Sequence, residues 1–269
     1  MRLSEAVKIL RDAGVENPRH DARELFMHFG GIDISELLSG DAFCNREDLE
    51  AAIERRKNRE PLQYIIGTVC FYREEYDVNS SCLIPRQDTE ILVDYAVKNI
   101  PCGKKFLDLC TGSGCVAIST LANTESTAAT AIDISESALE VARLNAEKNR
   151  VSSRISFVLA DALSYTGNEG YYAILSNPPY VTEDEYERLE PEIYFEPKIA
   201  FTANEHGLEF YRRIIANYKN AIDPHGFFAF EIGSSQGQAL ITIAKEHNMP
   251  CEIIKDYSGC DRVAVIRRQ

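Results

Sequence analysis

From residue 105 onward, short apolar runs alternate with segments of helical length. Stretches 105–109, 127–134, 155–160, 172–176 and 227–232 read as strands, and 115–122, 137–149, 208–221 and 238–246 as helices. Parallel neighbours need a crossover long enough to hold a helix. The alternation therefore predicts an α/β fold, a mostly parallel sheet with helices on both faces. Two further strand-like runs, 251–255 and 262–266, stand too close for a helical crossover and are expected to pair antiparallel. In 208–221, Phe210, Ile214, Ile215 and Tyr218 share one apolar face.

The first part of the chain has a different pattern. Leu3, Ala6, Val7, Ile9 and Leu10 recur at helical spacing. Asn17-Pro18 suits a helix start, and the stripe of Leu25, Phe26 and Phe29 ends at Gly30-Gly31. Asp33 is expected to open a short helix, and Asn45 to cap a last one carrying Leu49, Ala52 and Ile53. Residues 1–60 thus read as a helical domain. Tyr64-Ile65-Ile66, Val69-Cys70-Phe71-Tyr72 and Tyr76-Asp77-Val78 have strand composition, so 61–86 reads as a β-hairpin connector. The remainder, 87–269, forms the α/β domain.

Composition narrows the function classes. The 269 residues carry 29 Lys+Arg against 42 Asp+Glu, a net charge of −13. Generic duplex binders are more often basic, because phosphate contacts dominate their affinity. Stable nucleic-acid binding is therefore not expected. No stretch approaches the apolar length of a membrane span, and the N-terminus lacks a signal-peptide core. The eight cysteines include no Cys-x-x-Cys pair, and the five histidines are scattered. That pattern argues against a metal site and for free thiols in a reducing cytoplasm. Cys102 and Cys110 fall near the glycine-rich loop, but nothing pairs either with a base to activate it as a nucleophile.

Asp108-Leu109-Cys110-Thr111-Gly112-Ser113-Gly114 marks the change from the first α/β strand to a helix. Glycines let backbone approach a ligand, and a helix N-terminus offers unpaired N–H groups. Asp133 ends the next strand and suits ribose hydroxyls. Asp161 ends the third and suits an adenine amino group. Each acid singly also fits a cap or a turn; their joint spacing with the glycine loop favours a nucleoside site. A nicotinamide dinucleotide and S-adenosylmethionine both fit that frame. Asp108 argues against the first, since a carboxylate there would repel a pyrophosphate but hold the ammonium of a methionine moiety.

Asn177-Pro178-Pro179-Tyr180 follows the fourth strand. A planar amide or aromatic amine is a poor nucleophile because its lone pair is delocalised. The Asn177 side-chain oxygen and the Pro178 carbonyl can accept two N–H bonds from such a nitrogen and aim it. Two prolines restrict φ and carry no N–H of their own, and Tyr180 offers a flat face. The tetrapeptide has no clear task in hydride transfer.

Together, Asp108, Gly112-Ser113-Gly114, Asp133, Asp161 and Asn177-Pro178-Pro179-Tyr180 resemble an S-adenosylmethionine-dependent amino methyltransferase. More narrowly, the chain is similar to the release factor glutamine methyltransferases, the HemK/PrmC family. That narrower likeness rests on Pro61-Leu62-Gln63-Tyr64-Ile65-Ile66-Gly67, Leu83-Ile84-Pro85-Arg86-Gln87-Asp88-Thr89-Glu90 and Pro197-Lys198-Ile199-Ala200-Phe201 with Gly207-Leu208. Glu231-Ile232-Gly233-x-x-Gln236 and Asp256-Tyr257-Ser258-Gly259-x-Asp261-Arg262 complete it. The resemblance implies a Rossmann-like methyltransferase sheet and a helical N-terminal domain that binds the release factor.

It also implies site roles. Asp108 with Cys110, Thr111, Gly112, Ser113 and Gly114 would hold the methionine part of the cofactor. Asp133 would bind ribose, and Asp161 and Ala162 would lie beside adenine. Asn177 and Pro178 would bind the substrate amide, Pro179 and Tyr180 would shape its slot, and Arg86 would lie near the entrance. The substrate would be the glutamine of the Gly-Gly-Gln tripeptide of class-one release factors, giving N5-methylglutamine. The acidic run Glu183-Asp184-Glu185, Glu187 and Glu190 would meet a basic face of that partner. Cys110 replaces a Gly common in relatives, which implies that the loop does not demand positive φ. Gln87 replaces a common Pro, and Ala162 a frequent aromatic. The tetrapeptide is shared with adenine-N6 nucleic-acid methyltransferases, the competing enzymatic reading; a non-catalytic cofactor-binding scaffold is the other.

Overall fold

The computed structural model describes residues 1–166 and 170–268. Two units separate by contact: Met1–Thr68 with Glu190–Phe195, and Val69–Leu189 with Glu196–Gln269.

The first unit is helical. Its helices are α1 (Leu3–Asp12), α2 (Pro18–Gly30), α3 (Ile34–Ser39), α4 (Glu47–Lys57) and α5 (Leu62–Ile66). Leu3, Ala6, Leu10, Leu25, Phe26, Leu49, Ala52 and Ile53 form its core. Pro18 opens α2 at the first turn, where its missing N–H costs nothing. The Asp33 carboxylate caps α3 by accepting from Ser35 N. Arg46, not Asn45, precedes α4, and no side chain caps that helix. Tyr64-Ile65-Ile66 is helical where strand composition pointed to a hairpin. Leu62 and Ile65 join the apolar core, Pro61 precedes the helix, and Gly67 ends it in the left-handed region. Burial against α-helices outweighs β-propensity, which largely measures fit to a pleated surface.

A buried ion network ties this unit together. Arg56 donates to Asp21 at 2.7 Å and to Glu192 at 2.9 Å, and Arg59 grips Glu192 with two bonds of 2.7 Å. The Arg59 pair holds the Glu192 carboxyl below its usual range, against the upward push of burial.

The second unit opens on the hairpin β1 (Thr68–Phe71) and β2 (Glu74–Asp77), then α6 (Glu90–Asn99). The sheet strands are β3 (Lys105–Leu109), β4 (Ala128–Asp133), β5 (Ile155–Leu159), β6 (Tyr171–Ser176), β7 (Ile222–Glu231), β8 (Cys251–Lys255) and β9 (Asp261–Arg267). Between them lie α7 (Cys115–Ala122), α8 (Glu136–Lys148), α9 (Glu183–Tyr186), the single turn α10 (Asn204–Gly207), α11 (Glu209–Tyr218) and α12 (Gly237–Glu246). The order across the sheet is β5-β4-β3-β6-β7-β9-β8. Only β9 runs against its neighbours. The expected α/β sheet is therefore present, its antiparallel strand inserted one place from the edge.

Alternate residues of each strand face opposite cores. Phe106, Ala173, Leu175, Phe227 and Ala229 pack with Leu92, Val93, Val116 and Leu121 of α6 and α7. Leu107, Ile174, Phe228 and Phe230 pack with Ile214, Ile215, Tyr218 and Leu240 of α11 and α12. The period-two register of a strand produces this division. The chain builds outward from β3 to β5, then crosses back to β6 on the other side of β3. Ligands bind at such a switch point, beyond the carboxyl ends of the strands.

Candidate active site

The loop after β3 is held from behind. Thr111 N donates to Ile132 O at 3.0 Å, and Gly114 N to Thr111 O at 2.8 Å. The Asp108 carboxylate accepts from Thr111 Oγ1 at 2.6 Å and Ala117 N at 3.3 Å. It is 1 % exposed, and burial pushes its pKa up to about 7. Thr111 and Ser113 are buried too. Gly114 precedes α7 at φ +84°, and a Cβ there would meet Ile118 Cδ1 at 2.7 Å. Cys110 and Gly112 are the loop residues that line a cavity of about 250 Å³.

Cys110 has φ +59°, so the loop does demand a left-handed residue here, contrary to the expectation drawn from its side chain. Cysteine in that region costs roughly 1–2 kcal/mol, strain that the bonds around the loop sustain. The residue is half-buried, and desolvation with Asp133 pushes its thiol well above its ordinary pKa, which disfavours the reactive thiolate.

Asp133, Asp161 and Ala162 line the same cavity with Asn177 and Pro179. Asp133 accepts from Gly112 N at 2.8 Å and Ser135 N at 3.0 Å. Burial nevertheless pushes its pKa up. The cap of α8 is Ser135, whose Oγ accepts from Ala138 N at 3.2 Å; Asp133 faces the cavity instead. Asp161 accepts from Leu163 N at 2.9 Å, a turn bond compatible with its place in the lining.

A smaller slot adjoins. Leu83, Arg86, Asn177, Tyr180, Val181, Ala200, Phe201 and Glu231 line it, and Leu83, Asn177 and Ala200 line the larger cavity too. Register explains the meeting: Ser176 pairs with Leu109 on one side and Phe230 on the other, so Asn177 emerges between the β3 loop and Glu231. Asn177 Nδ2 donates to Thr89 Oγ1 at 3.2 Å. Among the described residues, no donor of the chain reaches Asn177 Oδ1 or the Pro178 carbonyl. The tetrapeptide's exit is fixed by Tyr180 N and Val181 N, which both donate to Phe201 O at 3.1 and 2.8 Å. Gln236 Nε2 donates to Tyr180 O at 3.2 Å. Gly207 lies so close that a Cβ would sit 2.1 Å from Tyr180 O. The Arg86 guanidinium pairs with buried Glu196, which also accepts from Ile84 N at 2.9 Å.

Several lining residues escaped the sequence reading. Phe210 packs against the core and also lines the larger cavity, and fully buried Tyr211 joins the core beside it. Glu231 lines the slot, Thr89 and Glu196 bond to its lining residues Asn177 and Arg86, and the three lie far apart in sequence. Glu196 carried no signal, while Thr89 and Glu231 stood in quoted motifs without a role.

The lining chemistry discriminates between cofactors. Among the described residues, the larger cavity carries two carboxylates, Asp133 and Asp161, and no Lys or Arg. That set fits ribose hydroxyls, an adenine amino group and a cationic sulfonium, and would repel a pyrophosphate. Sheet, loop and cavity define a Rossmann-like, S-adenosylmethionine-dependent methyltransferase. Residues 2–67 match the family described as PrmC N-terminal domain, and residues 71–192 the methyltransferase small domain. A release factor glutamine methyltransferase of Thermodesulfovibrio yellowstonii is 36% identical over 92% of both chains, and one of Bacteroides thetaiotaomicron 37% identical over 88% of both. The chain belongs to the release factor glutamine methyltransferase family. In fold alone, it resembles the crystal structure of a ribosomal protein L11 methylase from Lactobacillus delbrueckii subsp. bulgaricus. The TM-score is 0.53 at 16% identity, over 71% of this chain and 84% of that one.

Proposed function

We propose that the protein methylates the side-chain amide nitrogen of the glutamine in the Gly-Gly-Gln tripeptide of class-one release factors, giving N5-methylglutamine. The observation that carries this reading is Asn177, which lines both the cofactor cavity and the slot. Bound S-adenosylmethionine would supply an electrophilic methyl from its sulfonium sulfur, the C–S bond breaking as the new bond forms and S-adenosylhomocysteine leaving. Asp133 would bind the ribose, Asp161 and Ala162 would flank the adenine, and Cys110 and Gly112 would face the methionine part. Asp108, Thr111, Ser113 and Gly114 would act from behind, by shaping the loop.

Asn177 Oδ1 and the Pro178 carbonyl would accept the two N–H bonds of the substrate carboxamide. Those acceptors orient the nitrogen and stabilise the positive charge that builds on it as the C–N bond forms. The nitrogen's proton leaves to water afterwards. Tyr180, Pro179 and Arg86 would bound the slot. The helical unit would select the release factor, with exposed acids such as Asp184 and Glu187 facing its basic surface; binding should then weaken as salt rises. Eight free cysteines suit a cytoplasmic site of action.

Mass spectrometry of a Gly-Gly-Gln release factor, incubated with enzyme and S-adenosylmethionine beside DNA and RNA controls, tests the reading. One added methyl on the tripeptide glutamine is expected. Methylation of adenine in its place would overturn it.

A further inference from the structure

The polar groups behind Asn177 form a chain whose direction follows from which atoms can donate. Glu231 ends β7, is 2 % exposed and lines the slot. Thr89 Oγ1 donates to its Oε2 at 2.5 Å, and the Tyr180 hydroxyl to its Oε1 at 3.2 Å. A carboxylate only accepts, so the single hydroxyl proton of Thr89 is committed to Glu231. Thr89 precedes α6, yet its side chain makes no capping bond, and it is 1 % exposed. Its oxygen is then left only to accept, and the group within reach is the Asn177 amide. That requires Nδ2 to face Thr89 and turns Oδ1 the other way. The opposite flip would set a donor against a substrate amide that itself brings donors.

We propose that Glu231 and Thr89 are positioning residues that lock the Asn177 side-chain amide with Oδ1 presented to the substrate. When ionised, the Glu231 carboxylate behind the relay also strengthens Oδ1 as an acceptor, because linked hydrogen bonds polarise one another in a low dielectric. Burial pushes the Glu231 pKa up and nearby Asp88 adds to the rise, while Thr89, the Arg262 guanidinium and Tyr180 pull the other way. The inference rests on the role given to Asn177 above.

The test is single-turnover methylation of a Gly-Gly-Gln release factor by Thr89→Val, Thr89→Ser and Glu231→Gln, with cofactor affinity by calorimetry and thermal melts alongside. Thr89→Val and Glu231→Gln are expected to lose on the order of 100-fold in rate through misorientation of the acceptor. Cofactor affinity should stay within about 2-fold, and Thr89→Ser, which keeps the hydroxyl, should stay within about 3-fold of wild type. Near-normal rates in Thr89→Val or Glu231→Gln would overturn the relay, as would Thr89→Ser falling as far as Thr89→Val. If Thr89→Val does not fold, Glu231→Gln, of nearly the same shape, decides alone. Asn177→Ala separates the two ideas. A normal rate there overturns the substrate-binding role itself, whereas its collapse beside active relay variants overturns only the relay.

Discussion

The larger cavity, proposed for the cofactor, and the smaller slot, proposed for the substrate, share Asn177 but are built differently. The cavity comes from successive strand ends, and its polar groups bond mostly to near neighbours: Asp133 to Ser135, Asp161 to Leu163, Asp108 to Thr111. The slot draws Thr89, Asn177, Tyr180, Glu196, Phe201, Gly207, Glu231 and Gln236 from across the second unit, through bonds such as Asn177–Thr89 and Arg86–Glu196. A site of local parts is legible as a motif and yields to single substitutions in affinity. A site of distant parts depends on register and packing, and should yield in turnover.

The sharpest way to break that contrast is Asn177→Ala. Its turnover should fall by on the order of 10²–10³, the loss typical of removing one preorganised polar group, with cofactor affinity nearly unchanged by calorimetry. Comparable losses in both would erase the distinction between cavity and slot.

Gly207→Ala comes next. The added Cβ collides with the Tyr180 carbonyl, and at φ +79° an L side chain is strained in any case. A destabilisation of about 2–3 kcal/mol is expected in denaturant unfolding, with turnover falling further than cofactor binding.

Asp133→Ala is the mirror experiment. It should weaken cofactor affinity roughly 10-fold to 100-fold, the worth of a lost charged acceptor, while a saturated enzyme keeps most of its rate. A rate that collapses at saturating cofactor would show that the cavity, too, orients substrate.

Asp108 gives a pH-dependent test of the loop. Its pKa is about 7 folded against an ordinary 3.8, so the folded state binds more protons between those values. Stability therefore falls as pH rises from about 4 to 7, and the loss is complete above 7. Asp108→Asn removes that dependence. Thermal melts of the ligand-free variant should show a gain over wild type at pH 8 that exceeds the gain at pH 5 by on the order of 2–4 kcal/mol. An equal difference at both pH values would mean that Asp108 is not held protonated by burial. The smallest effect is that of Cys110→Gly, expected to stabilise by at most about 1 kcal/mol, because relief of the left-handed strain is offset by the greater chain entropy of glycine.

Sequence alone determined the layered α/β sheet, since strand–helix alternation leaves few ways to cover two apolar faces. It also determined the glycine loop, the acids at the strand ends and the Asn-Pro-Pro-Tyr tetrapeptide, because each is a short-range pattern tied to one turn. Tertiary structure decided what spacing does not encode. Burial made Tyr64-Ile65-Ile66 helical, bonds around the loop hold Cys110 at positive φ, and Tyr211 is buried in the core beside Phe210, which also lines the cavity. Above all, strand register set Glu231 and Thr89 behind Asn177. The direction of a buried hydrogen bond depends on every group it touches, and those groups meet only when the chain is folded.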